Sequence, residues 1–156
     1  DADLEYHPED VPAVVAALAD SPCVYGSRFL TGGANGDVMP LVRRFGNGLV
    51  TTLFNVLFGQ DLTDLYTGLR GVRRDALPAR LACDGFELVL ELAARVAQTG
   101  AVIREVPVAY TVRTRGQSKM QHVPEFLRFA RRLVQLRLST VLSQGASRSG
   151  PSPSAL

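Results

Sequence analysis

Helical and extended segments alternate along this chain, and the alternation predicts an α/β fold: a sheet with helices packed against it. Three observations carry the expectation. Residues 11–20 and 86–99 bring apolar side chains back at helical spacing. Cys23-Val24-Tyr25-Gly26 is a short apolar run with the look of a buried strand. Residues 101–112 alternate apolar and polar positions, the period of a strand. A chain of 156 residues is one domain by length and can bury a real core.

Taken in order, the chain opens on Asp1-Ala2-Asp3-Leu4-Glu5, three carboxylates in five residues. Hard oxygen ligands at this density suit Mg²⁺ or Mn²⁺ held against a phosphate-bearing substrate. A solvated acidic turn gives the same pattern. Pro8-Glu9-Asp10 reads as a helix start, with acids over the positive end of the helix dipole. The helix over 11–20 ends at Ser21-Pro22. Strand 23–26 follows, and Ser27-Arg28 lies just past its C-terminal end, the edge where open α/β sheets bind ligands.

Residues 29–40 are Gly-rich, yet they lack the Lys-Ser/Thr of a P-loop and the spacing of a dinucleotide fingerprint, so a flexible connector is expected. Residues 41–58 predict a long, mostly apolar helix opening with Arg43 and Arg44, either packed in the core or lying partly against lipid. Asp64 and Arg70 flank a Thr67-Gly68 turn, as an ion pair or as site residues. A short helix is expected over 75–81, and an amphipathic one over 86–99 that ends at Gly100 and sets Glu87 and Glu91 on one face. Residues 101–112 predict a strand pair bent at Pro107. Arg113–Met120 is a polar loop, 124–142 the last helix, and 144–156 a Ser/Pro/Gly-rich tail expected to be disordered.

Charge and cysteine usage narrow the class. The formal net charge of +2 implies no nucleic-acid partner, and no run of 18 apolar residues predicts a membrane span. Cys23 and Cys83 lack metal or redox spacing and are expected to be reduced core thiols of a cytosolic protein. No initiator Met precedes the acidic motif, and the chain is expected to be the downstream part of something longer.

The order and spacing of Asp1-Ala2-Asp3, Gly26-Ser27-Arg28-Phe29, Arg43-Arg44 with Asn47, Asp64–Arg70, Phe86-Glu87, Glu105-Val106-Pro107 and Arg113–Met120 resemble the family 2 glycosyltransferases of the GT-A type. The likeness is nearest to the polyprenyl-phosphate members, such as dolichol-phosphate mannosyltransferases, and runs to about residue 142. It implies a Rossmann-like mixed sheet flanked by helices, without the N-terminal half that holds the nucleotide. Residues 1–121 would be the C-terminal part of the catalytic domain, 122–143 an amphipathic interfacial helix and 144–156 the tail.

By the same resemblance, Asp1, Asp3 and Glu5 would hold Mg²⁺ or Mn²⁺ on the donor's diphosphate. Glu5 departs from the Gln usual in dolichol-type enzymes. Arg28, Arg43, Arg113, Ser118 and Lys119 would bind donor or acceptor phosphates, Asp64 would lie near the sugar and the attacking oxygen, and Arg70 would order the Asp64 turn. The implied reaction is inverting transfer from a nucleotide-sugar (GDP-mannose or UDP-glucose type) to a polyprenyl phosphate at the cytoplasmic membrane face.

Seven basic residues against one acid between Arg113 and Arg137, with Arg128, Arg131 and Arg132 on one helix face, would seat the protein peripherally on the membrane. A polysaccharide acceptor and a non-catalytic membrane-surface module are the alternatives. An Asp-x-Asp phosphatase is disfavoured by Leu4 after the second acid. The chain by itself is expected to bind donor poorly and not to turn over.

Overall fold

The computed structural model describes residues 5–30, 41–83, 85–111 and 127–139. Asp1 and Asp3, residues 31–40 of the Gly-rich connector, the Arg113–Lys119 loop and the tail lie outside them. The elements are α1 (Val11–Ala17), β1 (Cys23–Ser27), α2 (Leu41–Phe58), β2 (Arg70–Val72), α3 (Phe86–Gln98), β3 (Arg104–Pro107) and a final helical stretch, α4, over 127–139. The architecture is α/β, a small mixed sheet flanked by helices.

The sheet runs β2-β1-β3. β1 pairs antiparallel with β2 (Cys23↔Val72 to Tyr25↔Arg70) and parallel with β3 (Val24↔Arg104 to Ser27↔Pro107). All five β1 residues are buried, which explains its unbroken run of apolar and small residues. Pleating sends Cys23 and Tyr25 into the main core, with Val50, Phe54 and Phe58 of α2, Leu90, Ala93 and Ala94 of α3, and Phe129, Leu133 and Leu136 of α4. Val24 is equally buried but outside that cluster, on the face where α1 brings Val14. Gly59 and Gly100 follow α2 and α3 with φ of 64° and 85°, conformations that cost glycine little.

Several expectations are corrected. The helix over 75–81 is only a 3-10 turn, Arg74–Ala76. Pro78 lacks an N–H and disfavours helical geometry at Leu77, whose backbone is extended. The strand pair over 101–112 is a single strand, β3, parallel to β1, after which Tyr110 makes an isolated antiparallel bridge to Tyr6. Val102 precedes the strand and is 70% exposed. β2 escaped the periodicity reading because three residues, Arg-Gly-Val, carry no alternation. The first helix starts after Pro8–Asp10 as expected but stops at Ala17, short of Asp20; the Asp10 carboxylate accepts the Ala109 N–H at 2.8 Å. Cys83 is not a core thiol: it is half-buried, and its Sγ lies 2.8 Å from an Arg132 nitrogen.

Candidate active site

The site forms at the C-terminal end of β1, where Ser27 and Arg28 leave the sheet. Asp64 arrives there on the segment joining α2 to β2, which belongs to no helix or ladder. Its backbone groups are instead taken up by side chains, as buried backbone must be. The Asn55 amide brackets Leu62, accepting its N–H at 3.0 Å and donating to its carbonyl at 2.8 Å. The Gln60 amide reaches the stretch just before β3, donating to the Ala101 carbonyl and accepting the Ile103 N–H. Thr51 accepts the Leu65 N–H. Glu105 accepts the N–H groups of Thr63 and Asp64.

Asp64 is fully buried, and its carboxylate meets four donors. Oδ2 accepts from Arg28 Nε at 2.6 Å and from the Arg28 backbone N–H at 3.2 Å. Oδ1 accepts from Arg28 Nη2 at 2.8 Å and from Asn47 Nδ2 at 2.9 Å. This is a bidentate guanidinium–carboxylate fork. Arg28 is itself only 9% exposed. Burial disfavours its charge, but the hydrogen bonds and charge of Asp64 outweigh that and hold its pKa above the ordinary arginine value. The guanidinium also lies against the Tyr110 ring (5.1 Å to its centroid) and Phe29 (5.8 Å).

Tyr6 closes the other side. Its ring meets Tyr110 edge-on, and its hydroxyl accepts the Gly68 N–H at 2.7 Å. A Cβ on Gly68 would stand 2.6 Å from Tyr6 Cε2, so only glycine lets the ring approach. Arg70 donates from Nη2 to the Thr67 carbonyl at 2.6 Å and lies over Tyr25. The partner of Asp64 is thus Arg28; Arg70 instead braces the turn between them.

Of the residues singled out in the sequence, Arg28, Asp64 and Arg70 meet around this turn. Glu5 is half-buried beside Tyr6, with its carbonyl accepting the Thr111 N–H. Arg43 lies in α2, with its side chain outside the described set; Asp1, Asp3, Arg113, Ser118 and Lys119 are outside it altogether. No group of three His, Cys, Asp or Glu among the described residues is arranged to hold a metal. The α4 arginines are elsewhere: Arg128 pairs with Glu87 of α3 at 3.0 Å, Arg132 meets Cys83, and Arg131 is exposed.

Asn47, Tyr6, Tyr110 and Glu105 had no role assigned from the sequence. For Asn47 a signal existed. Asn47 and Thr51 stand four apart on the face of α2 that carries Val50 and Phe54, and polar residues on an apolar face need a buried partner.

No family model matches the chain. It is 31% identical over 124 residues to the undecaprenyl-phosphate mannosyltransferase of Micrococcus luteus, a match covering 77% of this chain and 51% of that protein. It is 30% identical over 127 residues to the dolichol-phosphate mannosyltransferase of Saccharomyces cerevisiae, covering 77% and 47%. With the polyprenol monophosphomannose synthase of Mycolicibacterium smegmatis the figures are 29% over 125 residues, 77% and 47%. The α/β fold and these relatives give the class of the likeness: the chain is similar to glycosyltransferases. More narrowly, it is a relative of the family 2 polyprenyl-phosphate glycosyltransferases and spans about half the length of the curated relatives it matches.

Proposed function

We propose that this chain forms the C-terminal part of a metal-dependent, inverting glycosyltransferase that moves a sugar from a nucleotide-diphosphate donor to a polyprenyl phosphate. The observation that carries the reading is the buried Arg28–Asp64 fork at the end of β1, in a chain whose relatives are named for transfer to such lipids. Asp1, Asp3 and Glu5 offer only hard oxygen donors, a set that fits Mg²⁺ or Mn²⁺, and Glu5 adjoins Tyr6, whose hydroxyl reaches the Asp64 turn. The ion would neutralise charge developing on the leaving diphosphate.

Asp64 is occupied by four donors, so its work is to orient Arg28 rather than to take a proton. The acceptor supplies its own nucleophile, because a phosphate monoester with a second pKa of about 6 is largely dianionic at neutral pH. Arg28 presents little surface, so acceptor and donor phosphates would fall mainly to Arg43, Arg113, Ser118 and Lys119. Arg70 keeps the turn closed through the Thr67 carbonyl.

A peripheral seat on the cytoplasmic membrane face is part of the proposal. No helix among the described residues is long and apolar enough to cross a membrane. α2 nonetheless has a second apolar face: Leu41, Phe45, Leu49 and Val56 are exposed within one sector of the helix, opposite Phe54. α4 buries Phe129, Leu133 and Leu136 and exposes Leu127, Val134 and Leu138 beside Arg131 and Arg137. Apolar stripes flanked by arginine suit an anionic interface.

The test is transfer of radiolabelled mannose or glucose from its nucleotide to a polyprenyl phosphate in vesicles, by this chain extended upstream. Product that depends on Mg²⁺ or Mn²⁺ is expected; no transfer from either donor refutes the reading. Anionic vesicles should sediment the chain, and Arg131→Glu with Arg137→Glu should weaken that.

A further inference from the structure

Glu105 is a carboxylate that the proposed chemistry leaves without a role. It stands on β3, in register with Tyr25 of β1. Its Oε1 accepts the Asp64 N–H at 2.8 Å, and its Oε2 accepts both the N–H and the hydroxyl of Thr63, each at 2.8 Å. The Thr63 hydroxyl, having donated to Glu105, accepts from the Ser27 hydroxyl at 2.6 Å. Ser27 in turn accepts the Phe29 N–H at 3.1 Å. One carboxylate therefore ends a chain of hydrogen bonds that spans Arg28, from Phe29 on one side and Ser27 on the other, and it also grips the backbone of Asp64. Hydrogen bonds linked in this way polarise one another.

The demand for such a grip is geometric. The Arg28–Asp64 fork needs two contacts at once, 2.6 and 2.8 Å, and a displacement of the Asp64 backbone breaks at least one of them. The segment carrying Asp64 has no ladder to fix its height above the sheet, whereas β3 is locked to β1. We infer that Glu105 is the positioning residue of the Arg28–Asp64 pair, transmitting the register of β3 to the carboxylate and through it to the guanidinium. Its significance for catalysis rests on the glycosyltransferase reading; its geometry does not. Burial raises the Glu105 pKa, while the hydrogen bonds from Thr63 and Asp64 oppose the shift.

The experiment is NMR on the ¹⁵N-labelled chain, following the Arg28 Nε–H and the Asp64 amide. Glu105→Gln keeps the size but turns one acceptor into a donor that faces Thr63 or Asp64. Both signals should then exchange with water about tenfold faster or more, while Val24 and Tyr25 amides in β1 keep their rates. Glu105→Asp, charged but one methylene short, should give a smaller change of the same sign. A folded variant in which Arg28 Nε–H exchange stays within about twofold of wild type overturns the inference. Should both variants unfold, the wild-type chain decides: Thr63 and Asp64 amides must exchange roughly a hundredfold slower than free peptide although they lie outside any helix or strand. Unprotected rates there overturn it. Neither readout uses sugar transfer, so failure of the positioning role and failure of the proposed reaction are separately visible.

Discussion

Replacing Asp64 by Asn tests whether the Arg28–Asp64 fork is buried and ionic as described. Each carboxylate oxygen serves two donors: Oδ2 the Arg28 Nε and backbone N–H, Oδ1 the Arg28 Nη2 and Asn47 Nδ2. Whichever oxygen becomes an amide nitrogen, two donors are left facing a donor. The arginine keeps its charge in a site where it is 9% exposed. Two orphaned donors at about 1–3 kcal/mol each, one set charged, give a cost near 4 kcal/mol, in line with about 3–5 for breaking a buried pair. Against a total stability of about 5–15 kcal/mol for a domain of this kind, that is a large loss.

The assay is urea unfolding followed by far-ultraviolet circular dichroism. With a slope of about 2 kcal/mol per molar, the midpoint should fall by roughly 2 M. Arg28→Met alone should cost a similar amount, since it strands the carboxylate. The double variant Arg28→Met/Asp64→Leu should cost much less than the sum, because no charge is then left unpaired. A loss below about 1 kcal/mol for Asp64→Asn, or additive single effects, would mean that the pair is solvated, and the argument from its burial fails.

Tyr6→Phe removes the acceptor of the Gly68 N–H and should cost about 1–2 kcal/mol by the same assay. Gly68→Ala should also destabilise, and Tyr6→Ala should relieve part of that penalty by clearing the clash; the two variants combined in a double-mutant cycle check this. Glu91 is buried and accepts the N–H groups of Ala82 and Cys83. Burial raises its pKa, but the Cys83 thiol, these N–H groups and Arg95 together bring it below the ordinary 4.5. A depressed folded value means that its contribution is fully present above about pH 4.5 and is lost as pH falls through the folded pKa. Unfolding curves of Glu91→Gln and wild type should therefore differ by about 1–2 kcal/mol at neutral pH and converge in acid; a gap independent of pH refutes the assignment. Burial pushes the Cys23 thiol up to about 12, and Cys83 is also raised. Iodoacetamide at pH 8 should label neither cysteine readily in the native chain and both in urea, as mass spectrometry would record.

Local patterns in the sequence determined the α/β character, the extents of α2 and α3 and the burial of β1, and they singled out Arg28, Asp64 and Arg70, which the fold brings around one turn. Each depends on neighbours within a turn or a strand: helical spacing, an apolar run, a Thr-Gly turn. Partnerships are a different matter. Sequence proximity made Arg70 the natural mate of Asp64, six residues away, yet the fork closes with Arg28, 36 positions upstream, because the parallel pairing of β1 and β3 and the packing of α2 bring the end of β1 to the loop. The partners of Asn47, Glu105 and Tyr6 were hidden for the same reason. An amide on an apolar helix face, a glutamate in a strand and a tyrosine after an acidic run acquire meaning only when folding strips them of water and forces them to find partners in one another. β2, three residues long, exists only because β1 lies beside it. The candidate site residues were legible as types in a sequence; which of them bond, and which are held in place by a carboxylate on β3, was decided by the tertiary structure.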